Sequence, residues 1–153
     1  LLKGIDGSYI IDSSYNASYE STVDALQLLK QIKSDNKIAV LGDMREVGQS
    51  SEYAHKEIIK LAKTITPHIL TIGKEFKSLN DTSITSYLTT KDALESLKNL
   101  IKHKSIIIFK GSQNNIYLES LIEKILLNPS DSKFLCRQSK YWKKTKNIFF
   151  KSN

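Results

Sequence analysis

Apolar positions recur along the chain in two alternating rhythms. Short unbroken apolar runs lie at Lys37–Leu41 (K-I-A-V-L), Ile69–Ile72 and Ser105–Phe109 (S-I-I-I-F). Runs of this length without a polar face predict strands buried on both sides. Between them the apolar spacing widens to three and four. Val23, Leu26, Leu29 and Ile32 line one face of residues 19–33, and Ala54, Ile58, Leu61 and Ile65 one face of 51–65. Leu94, Leu97, Leu100 and Ile101 do the same from Thr89 or Thr90 to about His103, and Leu118, Leu121, Ile122 and Ile125 within 115–127. Each stretch predicts a helix. Ser18 suits an N-cap with Glu20 in the first turn, while Pro67 and Pro129 stop the second and fourth helices. Ser8–Asp12 and Ser86–Leu88 are weaker strand candidates, and 75–84 reads as a loop or a short irregular segment. Strand and helix in alternation predict an α/β fold: a three-layer, Rossmann-like sheet of mostly parallel strands with helices on both faces.

Composition sharpens this picture in three places. A chain of 153 residues, 40% hydrophobic and 25% charged, is long enough for one globular domain with its own core. No apolar run approaches the ~20 residues of a membrane span. The net charge of +7 is concentrated at one end: residues 131–153 hold seven of the bases and a single acid, Asp131. The expected division is therefore a near-neutral domain over 1–130 and a basic extension over 131–153, the latter a strand and helix or a partly mobile tail. Cys136 is the one cysteine and has no internal disulfide partner, which fits a packed thiol in a reducing, cytoplasmic setting. The chain opens on Leu1 and its one methionine is Met44, so its start is expected to be a cut from a longer chain.

Ligands of open α/β sheets bind beyond the carboxyl ends of the strands. That rule selects Asp12–Ala17, Gly42-Asp43-Met44, Gly73-Lys74 and Lys110-Gly111-Ser112-Gln113. Ordinary strand-to-helix turns would use the same small and polar residues. The sequence has neither a G-x-x-x-x-G-K-[ST] phosphate loop nor a G-x-G-x-x-G fingerprint. His55, His68 and His103 lack ligand spacing. No catalytic set and no metal site is expected on this chain.

Three of these segments carry a resemblance. I-I-D-S-S-Y-N-A-S-Y-E-S (Ile10 to Ser21) resembles the D-D-S-Y-N-A-N-P-x-S signature of MurF-type ligases of the Mur ligase family. L-G-D-M-R-E-V-G (Leu41 to Gly48) resembles their L-G-D-M-x-E-L-G motif, and I-F-K-G-S-Q (Ile108 to Gln113), followed by Leu118-Glu119, their V-K-G-S-R segment. Gly4-Ile5-Asp6-Gly7 is similar to the G-x-N-G turn ahead of the first motif. Order and gaps agree over roughly residues 3–127. The sequence departs at Ser13, where the motif has its second aspartate, at Ser18-Tyr19 in place of Asn-Pro, and at Gln113 in place of arginine.

The resemblance implies the C-terminal domain of an ATP-dependent amide ligase that joins D-alanyl-D-alanine to a UDP-linked muramoyl tripeptide through an acyl phosphate. It implies a central domain of the same protein holding the phosphate loop and most of the contacts to ATP and Mg2+, so that the present chain alone would be inactive. Asp12, Ser13, Tyr15 and Asn16 would face the nucleotide; Asp43, Lys110 and Ser112 would face the amino component. Two alternatives stay open: a related ligase with another acceptor, and a non-catalytic module whose basic tail, with Tyr141 and Trp142 among lysines, binds nucleic acid or an acidic partner.

Overall fold

A computed structural model describes residues 1–45, 48–112 and 116–152. Among these described residues, six strands form one sheet in the order β1-β2-β6-β3-β4-β5. They are β1 (Leu2–Lys3), β2 (Tyr9–Ser13), β3 (Lys37–Gly42), β4 (His68–Ile72), β5 (Thr85–Tyr87) and β6 (Ile106–Lys110). All neighbours run parallel except β1, which turns back antiparallel on β2. The α/β expectation is met. Six α-helices among the described residues connect or flank the strands: α1 (Tyr19–Gln31), α2 (Ser51–Lys63), α3 (Lys74–Ser78), α4 (Thr90–Leu100), α5 (Leu118–Glu123) and α6 (Lys140–Ser152).

Alternation along each strand divides the core into two layers. Ile38 and Val40 of β3, Leu70 and Ile72 of β4, and Ile107 and Phe109 of β6 point to the side covered by Ala93 and Leu97 of α4 and by Leu118, Leu121 and Ile122 of α5. Ala39, Leu41, Ile69 and Ile108 point to the other side, under Leu26 and Leu29 of α1, Ile58, Ile59 and Ala62 of α2, and Phe76 of α3. Full burial on both faces explains why these strands read as continuous apolar runs.

Local chemistry sets the helix starts. Ser18 and Ser21 make a reciprocal capping box at α1, at 3.2 Å and 3.0 Å, so the serine that replaces the motif's asparagine does an N-cap's work. Thr89 caps α4 through the Asp92 amide. The structure corrects the sequence reading in four ways. Residues 75–84 begin inside the short helix α3, which runs Lys74–Ser78. Helices expected to run to 33, 65 and 103 end at Gln31, Lys63 and Leu100. The helix expected over 115–127 is a six-residue α5, because the chain beyond it is drawn to the sheet edge: Ile5 N–H donates to Ile125 O at 2.8 Å and Leu127 N–H to Lys3 O at 2.9 Å. The C-terminal segment forms a 3-10 turn over Pro129–Phe134 and then α6, with no strand among its described residues.

Candidate functional site

Ladder register brings the four strand-end segments side by side. Ser13 at the end of β2 pairs with Lys110 at the end of β6, and Lys110 pairs with Leu41 next to the end of β3. Gly42 in turn pairs with Ile72 of β4, one residue before Gly73. The rim is thus built by four parallel strands delivering their carboxyl ends to one edge, the side where α/β sheets hold ligands.

Two glycines make the middle of this rim possible. Their Cα atoms stand back to back: a methyl on Gly42 would lie 3.2 Å from Gly111 Cα and 2.8 Å from Ile116 Cγ2. A methyl on Gly111 would run into Leu118 of α5. The glycines of L-G-D-M and K-G-S therefore let β3, β6 and α5 close on one another.

The loop after β2 is held from several sides. Asp12 Oδ1 accepts from the Ser14 amide at 3.0 Å and its hydroxyl at 2.6 Å, which forms a tight turn. Ser13 is half-buried, whereas Tyr15 and Asn16 are exposed, Tyr15 to 63%. Asn16 Oδ1 accepts from the Ala17 amide at 2.9 Å. Lys110 is buried, and its ammonium donates to Asn16 O; burial lowers its pKa. Ser112 is buried beside it at the end of β6, while Gln113 lies outside the described residues.

Asp43 is also turned inward. Its oxygens accept from the Glu75 and Phe76 amides, each at 3.0 Å, so it caps α3 from 32 residues upstream. Burial, the largest influence, raises its pKa against the lowering effect of those two hydrogen bonds. Gly73, at φ 128°, is what lets the carboxylate in, since a Cβ there would collide with it. The next residue, Met44, is fixed by a fully buried histidine: its amide donates to His55 Nε2 at 3.0 Å, which leaves the ring proton on Nδ1, facing Ser51 O at 2.7 Å. The site residues expected from sequence therefore do share one rim, in two manners: Tyr15 and Asn16 face outward, while Asp43, Lys110 and Ser112 are buried within it.

Sequence reading named Gly73 only as part of a strand-end segment and Glu119 only within a motif; it missed the role of His55 and, most of all, the buried pairing of Glu119 with Arg137. Glu119 of α5 is fully buried; Arg137 Nε donates to its Oε1 at 2.9 Å and Nη2 to its Oε2 at 2.8 Å. Burial of the guanidinium is the largest influence and lowers its pKa, but the hydrogen bonds and charge of Glu119 more than reverse this and raise it. Lys146 of α6 adds a second cation, 3.5 Å from both Glu119 and Glu123. The tail was read by its net charge, which conceals that two of its seven bases point inward. An acid inside the apolar stripe of Leu118, Leu121 and Ile122 was the available signal. Beside Arg137, Cys136 has its thiol pKa raised by burial first and by the Glu119 charge second, so it stays protonated rather than nucleophilic.

The family model described as "Mur ligase, glutamate ligase domain" matches residues 1–113. The chain belongs to the Mur ligase family. Among curated relatives, this Mur ligase domain is similar to the UDP-N-acetylmuramoyl-tripeptide--D-alanyl-D-alanine ligase of Bacillus subtilis (strain 168), at 30% identity over 84% of the chain and 30% of that protein. It is also similar to the ligase of the same name from Escherichia coli (strain K12), at 31% identity over 71% of the chain and 25% of that protein. Among solved structures, the MurF ligase from Thermotoga maritima in complex with ADP shares the fold, with a TM-score of 0.68 and 22% identity over 80% of this chain and 30% of that one. MurF from Acinetobacter baumannii gives a TM-score of 0.64 at 29% identity, over 77% of this chain and 28% of that one. The chain spans about three tenths of the length of the relatives it matches. The matched span of the family model stops before α5, so Glu119, Arg137 and α6 of this Mur ligase domain lie beyond it.

Proposed function

We propose that this Mur ligase domain is the C-terminal part of an ATP-dependent amide ligase of peptidoglycan precursor synthesis, acting in the cytoplasm to add D-alanyl-D-alanine to UDP-MurNAc-tripeptide. In that reaction a carboxylate oxygen of the tripeptide attacks the γ-phosphorus of ATP and ADP leaves. The dipeptide amine then attacks the acyl carbon, phosphate leaves with the bonding pair of the broken C–O bond, and the amine proton passes to a base. The observation that carries the reading is the Ser13–Lys110–Leu41 row, which sets the three family motifs against one another at the ligand-bearing edge of the sheet.

Within that rim, Asp12, Ser13, Tyr15 and Asn16 form the nucleotide side. Tyr15 offers an exposed ring and Asn16 an exposed amide. Asp43, Lys110 and Ser112 form the side of the incoming dipeptide. Asp43 and Lys110 act there by fixing the loops that contact it, since their own charged groups are already engaged. Among the described residues no group of three or more His, Cys, Asp or Glu could hold a metal ion. The ion and the phosphate loop are assigned to a central domain of the same protein, which must close on this rim before chemistry.

The test is titration of the chain with ADP, followed amide by amide by NMR. Weak binding in the millimolar range is expected, because half a cleft supplies only part of the contacts. Shifts should concentrate at Tyr15 and Asn16, and the opposite pole around Ser34, His68 and His103 should stay still. The chain should not turn over ATP. Shifts confined to the opposite pole, or none at any concentration, would sink the reading. Tight, steeply salt-dependent binding of single-stranded nucleic acid through α6 would favour the binding-module alternative instead.

A further inference from the structure

We propose that Arg137, from the C-terminal segment, is a positioning residue for the nucleotide side of the rim. The idea rests on the functional reading above, which assigns Tyr15 and Asn16 to the nucleotide. Three consecutive carbonyls of that loop are each held by a buried cation. Arg137 Nη2 donates to Ser14 O at 2.9 Å, Arg137 Nη1 donates to Tyr15 O at 3.3 Å, and Lys110 Nζ donates to Asn16 O. A trans peptide points its N–H opposite to its C=O. With the Ser14 and Tyr15 carbonyls drawn inward, the N–H groups of Tyr15 and Asn16 are turned away from the buried cations. The guanidinium also lies 5.9 Å from the centre of the Tyr15 ring, within the range of a cation–π contact.

The clamp is itself anchored. Arg137 keeps both Glu119 oxygens while it reaches the loop, and Glu119 is fully buried in α5. Five hydrogen-bond donors in one rigid plane make this possible; a lysine has the charge but not the fork. Just after Arg137, α6 packs back on the domain through Phe149 and Phe150 against Tyr117, with ring centroids 5.2 Å and 6.2 Å apart. The C-terminal extension thus contributes a residue to the rim that the three motifs build.

Two variants and two readouts test this. Arg137→Lys keeps a charge opposite Glu119. The double variant Arg137→Met with Glu119→Gln removes both charges together, so that no buried carboxylate is stranded. Amide exchange at Ser14 and Ala17, whose buried N–H groups donate to Asp12 and Asn16, should quicken about tenfold in the double variant and less in Arg137→Lys, while the central strands keep their protection. ADP affinity should fall about fivefold or more in the double variant, with partial retention in Arg137→Lys. Native ADP binding at Tyr15 and Asn16 that is unchanged in a folded double variant would overturn the proposal and leave the nucleotide reading intact. If the native chain binds no ADP, the nucleotide reading falls. Exchange then decides alone: acceleration confined to the loop amides of Ser14 and Ala17 supports the clamp, and its absence overturns it.

Discussion

Asp43 shows how one side chain joins two motifs. It stands at the end of β3, yet its two hydrogen bonds go to the first turn of α3, at Glu75 and Phe76. Its raised pKa compares the charged with the neutral carboxyl and reflects burial. Deleting the carboxyl is a different change, because it leaves two backbone N–H groups without an acceptor. Asp43→Ala should therefore cost about 2 kcal/mol in urea unfolding, and Asp43→Asn, which keeps one acceptor oxygen, about half of that. Gly73→Ala should be at least as costly as Asp43→Ala, since it adds a left-handed backbone to a collision with the same carboxylate. If Asp43→Ala left the unfolding midpoint in place, Asp43 would have to be a rim residue with no capping role. Sequence could mark Asp43 by its place after an apolar run and inside a motif. It could not show its partner, because a cap reaching across 32 residues leaves no local spacing to read.

At the level of elements, legibility followed burial and length. β3, β4 and β6 were readable because both faces are apolar, and α1, α2 and α4 because their stripes run for eleven residues or more. α3 was not, since five residues hold too little periodicity and its start depends on Asp43. The end of α5 was set by the β1 edge, a tertiary contact with no signature in residues 115–127. The tail's inward bases were hidden by its overall charge. Motif glycines were visible as family features, but their reason is structural: Gly42 and Gly111 let two strand ends and α5 meet. Gly42→Ala should overpack that junction and cost about 1–3 kcal/mol, with the loss carried by faster unfolding or a lower midpoint. Because Ile116 supplies the closest atom, Ile116→Ala in the Gly42→Ala background should restore part of it. Additive losses in the double variant would show that the strain lies between the strands themselves.

For the molecule as a whole, acid titration separates groups that bind it together from groups that are tolerated. Lys63 at the end of α2 holds Asp81, beyond α3, at 2.8 Å, and the Ser83 amide and hydroxyl also donate to Asp81. The Lys63 and Ser83 hydrogen bonds lower the Asp81 pKa to about 2 from an ordinary 3.8. Its folded value is the lower one, so its contribution is fully present above about pH 4 and is lost as pH falls towards about 2. Asp43 has the opposite sign: its folded value is raised, so stability declines as pH rises from the ordinary carboxylate value through that raised value. The two effects meet near pH 4. Asp81→Asn should lower stability by about 1 kcal/mol or less at neutral pH, because both partners are partly exposed and screened. That deficit should shrink to a small remainder by about pH 2 and should narrow in 1 M salt. The comparison of the two chains by urea unfolding across pH 2 to 7 checks it. A deficit that stays constant with pH would mean that Asp81 works through the turn it makes with Ser83 and not through its charge, and that the tie between α2 and the segment after α3 is one of shape.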